Sequence, residues 1–415
     1  MPRLTALFII STLSLIALGV GSQVAQSQTF TVLHSFTGGE DGFQPYARPT
    51  LDRAGALYGT TTEGAGPGTV FQLKRTDGHW VLNTLFAFSP RAERLPLGGV
   101  VFGPDGTLYG TTYEGGSGSC QFGCGTVYNL RPPAACRTAK CPWTETVLYS
   151  FTGGADGSEP YYIDLIFDQA GNLYGTTAGG GSAGYGVVFK LTPSGSGWTE
   201  SVIHSFTGSD GIFPQTGVIF DSTGNLYGTT AIGGLYGCGT VFQLSPSESD
   251  WVASTVYSFQ GGADGCQPAG GVIVDRSGNL YGTTPIGGSG GGGTVFELSP
   301  SGGSWTYSLL YSWSGGWGPD DNLAIDAAGN LYGTTYQDGA YGSGSVFKLT
   351  PIDGGWSYID LRDFDGYANV GGSGPYGGVT LDASGNLYGT TVYGGRGAGE
   401  NCLGIGCGVV WEITP

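Results

Sequence analysis

The chain has 415 residues, a formal charge of −17 and only 11% charged residues. That balance excludes a nucleic-acid partner and an anionic membrane surface, both of which need basic patches. Its 82 Gly and 21 Pro suit a loop-rich chain, while 13% aromatic content argues against disorder.

Residues 1–22 read as a secretory signal: Arg3 is the positive end, Leu4–Val20 is apolar, and Val20-Gly21-Ser22 offers small residues for cleavage. No second apolar run reaches spanning length, so no membrane insertion of the mature chain is expected. The expected location is secreted, periplasmic or cell surface.

From residue 29 onward the chain is organised by Leu-Tyr-Gly-Thr-Thr. The string occurs at Leu57–Thr61, Leu108–Thr112, Leu173–Thr177, Leu226–Thr230, Leu280–Thr284, Leu331–Thr335 and Leu387–Thr391, at spacings of 51 to 65 residues. Such self-similarity marks a repeat architecture. Each unit reads as four short β-segments. In the third unit these are a (Leu165–Asp168), b (Asn172–Thr177), c (Val187–Leu191) and d (Trp198–Phe206). All are bounded by turn residues, and nothing of helical period follows the signal. An Asp-x-x-Gly-Asn turn joins a to b in most units, as at Asp221–Asn225, and reads as structural punctuation.

The chain begins with an unaccompanied d segment, Thr31–Phe36, and stops after a seventh c segment, Val409–Ile413. Seven complete units exist only if the N-terminal strand completes the last one, which closes a ring and removes an exposed edge. The expected fold is therefore all-β: one seven-bladed β-propeller of four-stranded blades over residues 29–415. Val32 and Phe36 should lie in a strand paired with Val409–Ile413.

The string Asn-Leu-Tyr-Gly-Thr-Thr, a Gly-rich loop, Gly-Thr-Val-Phe-x-Leu, Trp-x4-Leu-Tyr-Ser-Phe and Gly-Gly-x-Asp-Gly together resemble the GloVer tandem repeat of the choice-of-anchor family. The resemblance covers essentially the whole mature chain and implies an exported repeat protein, often with a C-terminal anchor. This chain departs from it at Pro415, where no sorting tail follows. The pattern is similar, more loosely, to sensory propellers of two-component regulators, which supports the fold rather than a function.

Strand parity puts the b–c and d–a loops on one face. The b–c loops vary most between units, so that face is the expected site. Tyr113, Tyr185, Tyr236, Tyr336, Tyr341 and Tyr393 stand in or beside b–c loops, and Trp317 stands in the d–a loop after blade 5. These aromatics are candidate platforms for sugar rings. The other eight Trp occupy repeat positions, six of them opening d, and are expected to be buried packing residues.

Asp41, Asp156, Asp210 and Asp264 recur in the d–a loops, either as a carboxylate ring for a cationic ligand or as a repeated Asp-Gly turn. One carboxylate per blade is too sparse for a calcium cage, so no metal and no cofactor are expected. His34 and His204 take a slot held by Tyr in other d segments, and His79 lies on the opposite face, so a Ser–His–Asp arrangement lacks its base. A paired-carboxylate hydrolase through Glu114, Glu159, Asp320, Asp321 or Glu400 remains the alternative.

Eight Cys fit an oxidising compartment. Loop position predicts the pairs Cys120–Cys124, Cys136–Cys141, Cys238–Cys266 and Cys402–Cys407. The expected function is that of a secreted, non-enzymatic, monomeric propeller binding an extracellular glycan or protein through the b–c/d–a face. The alternative is an extracellular propeller enzyme acting on glycans, which clustered carboxylates beside an aromatic cleft would favour.

Overall fold

The computed structural model describes residues 28–415 apart from 65, 90–92, 136–141, 196, 249, 368, 397–401 and 403. The expected signal, Cys136, Cys141 and Glu400 therefore lie outside the described residues. Seven four-stranded antiparallel sheets form the blades of a β-propeller, each ordered a-b-c-d. Residues in or just before strand a of every blade line one central channel of ≈ 560 Å³, and strand d is outermost. Among the described residues no helix is long and apolar enough to cross a membrane.

Blade 3 shows the pattern: a is Ile166–Phe167, b is Leu173–Thr177, c is Val187–Ser194 and d is Gly197–Ser205. Blade 7 takes a from Thr380–Leu381, b from Leu387–Thr391 and c from Val409–Thr414. Its outer strand is the N-terminal Thr29–Ser35, antiparallel to c, with Val32 opposite Trp411. Phe36 falls just beyond this strand rather than within it. Its N–H reaches the Gly408 carbonyl at 3.0 Å, and its ring is fully buried.

Each residue of Leu-Tyr-Gly-Thr-Thr has its own task. The Leu side chains are buried in the blade core. The Tyr hydroxyl reaches the a–b turn, as Tyr174 does to Asp168 at 3.0 Å, while its ring packs against the next blade's aromatics. The same Asp168 accepts the N–H groups of Ala170 and Asn172, which is the turn lock expected of Asp-x-x-Gly-Asn. The Gly admits the aromatic ring of strand c. A Cβ on Gly175 would lie 2.6 Å from the Phe189 ring, and one on Gly389 only 2.2 Å from Trp411. In blades 1, 2, 4, 5 and 6 the last Thr pairs with a hydroxyl of strand c, as Thr61 does with Thr69 at 2.8 Å.

The first Thr of the pair joins neighbouring blades. Thr60 donates to Gly98 O, Thr176 to Thr216 O, Thr229 to Gly270 O, Thr283 to Asp321 O, Thr334 to Gly377 O and Thr390 to Ala47 O. The exception is Thr111, whose buried hydroxyl has no partner. It faces blade 3, whose incoming loop carries an extra residue: Tyr162-Ile163-Asp164 stands where the other loops have one residue fewer before strand a.

A β-bulge recurs in every d strand. Register slips at Leu33, Leu85, Leu148, Ile203, Val256, Leu310 and Leu361, always an apolar residue. The bulge turns that side chain out of alternation. The six Trp that open d are half-buried rather than buried, which corrects the expectation from their periodicity. They lie near the outer edge of the blade and pack across the interface on the Tyr of the preceding motif, as Trp198 does on Tyr109 at 6.2 Å. Trp313 and Trp411 are buried, as expected.

Thr229→Val should cost about 1–3 kcal/mol, because it strands the Gly270 carbonyl at a blade interface. Thr111→Val removes a hydroxyl that has no partner, so its melting temperature should match or exceed that of the parent chain. Thermal unfolding of the two variants checks this, and equal losses would remove the inter-blade role of the first Thr.

Candidate functional site

The face formed by the b–c and d–a loops is built under backbone strain. Gln44, Leu95, Glu159, Phe213 and Gln267 have φ between 57° and 60°, and each directly precedes a proline. Left-handed backbone costs a non-glycine residue roughly 1–3 kcal/mol. Hydrogen bonds to two neighbouring loops hold it there. Phe213 donates to Tyr185 O at 3.1 Å and accepts from Ala231 N at 3.0 Å; Glu159 donates to Cys124 O and accepts from Ala178 N. Pro285 interrupts this pattern. It stands where Ala178 and Ala231 stand in blades 3 and 4, has no N–H, and leaves the Gln267 carbonyl without that donor.

Just after these prolines the chain turns toward the axis. Blades 2, 5 and 7 place Gly-Gly there (Gly98-Gly99, Gly270-Gly271, Gly377-Gly378), whereas blades 1, 3 and 6 place Ala47-Arg48, Ile163-Asp164 and Asp321-Asn322. The glycines make room in a crowded ring: a Cβ on Gly98 would sit 2.2 Å from Ile163 O. The larger groups fill that room. Arg48 crosses to Asp164, its Nε and Nη2 donating to Oδ2 at 3.2 and 3.0 Å. Burial opposes the Arg48 charge, but Asp164 and Asp321 outweigh it and hold the guanidinium protonated above its ordinary range. Above this pair Tyr46, Tyr162 and Tyr376 meet with ring centroids 5.0–5.6 Å apart. The three rings plug the mouth and leave beneath them a cavity of only ≈ 20 Å³.

Beside the plug lies a wider cleft of ≈ 390 Å³, lined by Tyr161, Phe213, Gln215, Ala231, Ile232, Gln267, Ala269, Pro285, Trp317, Asp320 and Tyr376. Trp317 and Phe213 keep 39% and 40% of their surface exposed. At the cleft floor Asp320 is 8% exposed; its Oδ2 accepts from Trp317 Nε1 at 3.3 Å, and its Oδ1 has no hydrogen-bond partner. Burial pushes the Asp320 carboxyl up to about 7, against the opposing influence of Tyr376 and Trp317. Burial also lifts Asp321 to about 6, with Arg48 pulling it back. Asp321 is otherwise satisfied, since Asn322 N donates to its Oδ1 and Gly378 N to its Oδ2.

The sequence candidates separate into three groups. Trp317 and Asp320 line the cleft and Asp321 lies beneath it. Tyr113, Tyr336 and Tyr393 join the aromatic cluster of the mouth through Tyr161, Tyr376 and Tyr46 respectively. Tyr185, Tyr236 and Tyr341 sit on exposed loops, the last two 58% and 65% exposed, outside the cleft lining.

Asp41, Asp156, Asp210 and Asp264 serve as turn locks. Each ties its loop to the preceding d strand, through His34, Tyr149, His204 and Tyr257 respectively. A Thr or Gln backbone N–H completes each lock. Glu114 lies in a short two-stranded ladder opposite Arg94, and Glu159 neighbours Tyr113. The disulfides Cys120–Cys124 and Cys402–Cys407 each close a single loop of this face, and Cys238–Cys266 joins two of its loops. Among the described residues no cluster of three or more His, Cys, Asp or Glu could hold a metal ion.

Arg48, Asp164, Tyr46, Tyr161, Tyr162, Tyr376, Phe213, Gln215 and Gln267 were not anticipated. Their signal is variation between units: Arg48 and Asp164 stand where blades 2, 4, 5 and 7 carry Gly, and the others lie within two residues of the d–a proline, where the residue changes from unit to unit.

A family model described as the Gloeobacter/Verrucomicrobia repeat matches residues 117–317 and 252–415. No curated protein matches the chain. Among solved structures, an ancestral GH74 enzyme aligns with 90% of this chain and 48% of its own, at 12% identity and a TM-score of 0.52. A protein from Bacteroides uniformis assigned as a 6-phosphogluconolactonase aligns with 80% of this chain and 88% of its own, at 13% identity and a TM-score of 0.49. A protein of unknown function from Dyadobacter fermentans aligns with 92% and 96% respectively, at 11% identity and a TM-score of 0.45. The first of these likenesses supports the propeller fold and nothing beyond it.

The Asp320 carboxyl rises in the fold from 3.8 to about 7, so the fold disfavours its ionised form. Stability contributed by the neutral acid is present below pH ~4 and lost as pH rises toward ~7. Asp320→Asn should therefore raise stability at neutral pH, by up to about 4 kcal/mol, and the gain should vanish in acid. Melting curves across pH check this; a variant less stable than the parent at neutral pH would contradict it.

Proposed function

This chain belongs to the Gloeobacter/Verrucomicrobia repeat family, and from the cleft beside its mouth we propose that it is a saccharide-binding propeller acting outside the cytoplasm. The observation that carries the reading is the pairing of exposed aromatic faces with a buried, unsatisfied carboxylate oxygen in one cleft. Trp317 and Phe213 offer flat apolar surface, Gln215 and Gln267 offer amide groups, and Asp320 Oδ1 offers an acceptor at the floor. Small-ligand sites are concave, of roughly 300–1,000 Å³, with apolar walls and a few placed polar groups. A cleft of ≈ 390 Å³ matches one or two sugar rings. The loop disulfides suit an oxidising compartment and support export.

A second reading, hydrolysis, is favoured by Asp320, whose carboxyl near 7 suits a general acid. Glycoside hydrolysis also needs a second carboxyl across the cleft, typically ~5–9.5 Å away. Asp164 is bound to Arg48 and Asp321 to two backbone N–H groups, and Asp320 is the single carboxyl among the residues lining the cleft. That balance favours binding without turnover.

Trp317→Ala should shift the melting temperature little, because the side chain lies outside the blades. It should weaken saccharide binding by about 1–3 kcal/mol, the loss of a stacking face. A glycan array with the purified chain, followed by calorimetry on hits, measures this. Unchanged affinity in Trp317→Ala would move the site elsewhere, and release of new reducing ends from a bound glycan would favour the enzyme.

A further inference from the structure

Two departures from the repeat converge on the same cleft, and both create hydrogen-bond acceptors. The first is Asp320, which replaces an uncharged residue of other d–a loops and buries an oxygen without a partner. The second is Pro285. In the other six blades the residue at its position donates an N–H to the d–a loop opposite, from Thr62, Tyr113, Ala178, Ala231, Tyr336 or Val392. Proline cannot, so the Gln267 carbonyl lacks that bond, and Gln267, Pro285 and Asp320 all line the cleft. A buried acceptor without a partner is costly, and a native site that keeps one, beside a carbonyl stripped of its usual donor, calls for a ligand rich in donors.

A hydroxyl supplies one donor and carries acceptor lone pairs of its own. An ammonium supplies three donors and no acceptor. The lining contains no Lys, Arg or His to compete, and the chain's formal charge of −17 attracts a cation. The exposed faces of Trp317 and Phe213 add cation–π attraction. We infer that the cleft selects an ammonium-bearing saccharide, an amino sugar with its amine free, over the N-acetylated and neutral counterparts. The inference rests on the saccharide reading above and narrows its ligand class. The ammonium sits between Asp320 Oδ1 and the Gln267 carbonyl, with the sugar ring on the aromatic wall.

The test is calorimetric titration of the purified exported chain at neutral pH with β-linked tetramers of glucosamine, N-acetylglucosamine and glucose. The glucosamine tetramer should bind about tenfold or more tighter than the other two. Asp320→Asn should erase the preference for the glucosamine tetramer over the other two. Pro285→Ala restores the N–H that Ala178 and Ala231 supply in their own blades, and it should lower glucosamine affinity about threefold or more by occupying the carbonyl. The alanine is already accepted at this position in two blades, so this variant decides the matter even if Asp320→Asn misfolds. Equal affinities for the three tetramers in the parent chain would overturn the ammonium inference and leave the saccharide reading standing. A preference that survives both substitutions would place the cation elsewhere and overturn it as well. Binding of none of the tetramers would remove the cleft reading itself.

Discussion

A threonine hydroxyl reaching across to a neighbour's carbonyl is the contact on which this propeller depends. Blades also meet through broad apolar surfaces, which attract without specifying register. The first Thr of each motif adds direction, because its hydroxyl finds an acceptor only when the next d–a loop arrives at one height. Thr176 to Thr216 O at 2.8 Å and Thr229 to Gly270 O at 3.0 Å set that height to within the tolerance of a hydrogen bond. The accepting residue is the one that turns the chain inward to the axis. The same bond therefore closes the ring and positions the residues of the mouth, and scaffold and site cannot be varied independently. Blade 3 shows the consequence: an inserted residue brings Tyr162 into the mouth and leaves Thr111 without its acceptor.

The left-handed residues before the prolines extend the argument to strain. Five non-glycine residues in that conformation amount to several kcal/mol of backbone cost. The cost is tolerable because each is clamped by hydrogen bonds to the loops of adjacent blades. A conformation over-determined in this way does not relax when a ligand arrives, so the side chains of Phe213 and Gln267 are presented in fixed directions. Preorganised contacts of this kind reduce the ordering entropy a ligand must overcome. Pro285 is informative for the same reason, since it removes one clamp at the edge of the cleft without removing the conformation.

The repeat was legible because it is redundant. Seven copies of one string, each with the same Asp turn and the same glycine facing an aromatic, specify four strands per blade and leave little freedom in their order. Periodicity was less reliable about depth. Trp198 recurs as regularly as Leu173, yet Leu173 is buried and Trp198 half-exposed, because a position repeated at the rim is as periodic as one repeated in the core. The site was legible only in part. Trp317 stood out as the one Trp outside the repeat, and Asp320 and Asp321 were among the carboxylates named for a hydrolase. Arg48, Asp164 and Tyr376 went unnoticed because each looks ordinary in its own segment. Their meaning appears only when the same position is compared around the ring and the glycines of blades 2, 5 and 7 mark what the position usually holds.

The plug decides where a ligand can sit. A seven-bladed ring has an axial channel, and here its walls are mostly apolar strand-a residues such as Leu51, Ile166 and Leu381. An open channel would make the axis the natural site. Tyr46, Tyr162 and Tyr376 instead close it with rings in mutual contact, and the Arg48–Asp164 pair ties blade 1 to blade 3 directly beneath. Tyrosines in contact at these distances leave no space for a sugar ring between them. Off-axis on this face, between the loops of blades 4, 5 and 6, lies the wider cleft, where Asp320 and Tyr376 form a wall shared with the small cavity. The ion pair beneath that wall matters to the cleft above it. Arg48 draws charge toward Asp164 and Asp321, so Asp320, farther from that cation, keeps the least compensated carboxyl of the three. The arrangement that stabilises the mouth thus leaves one acid in need of a partner, at the wall of the wider cleft.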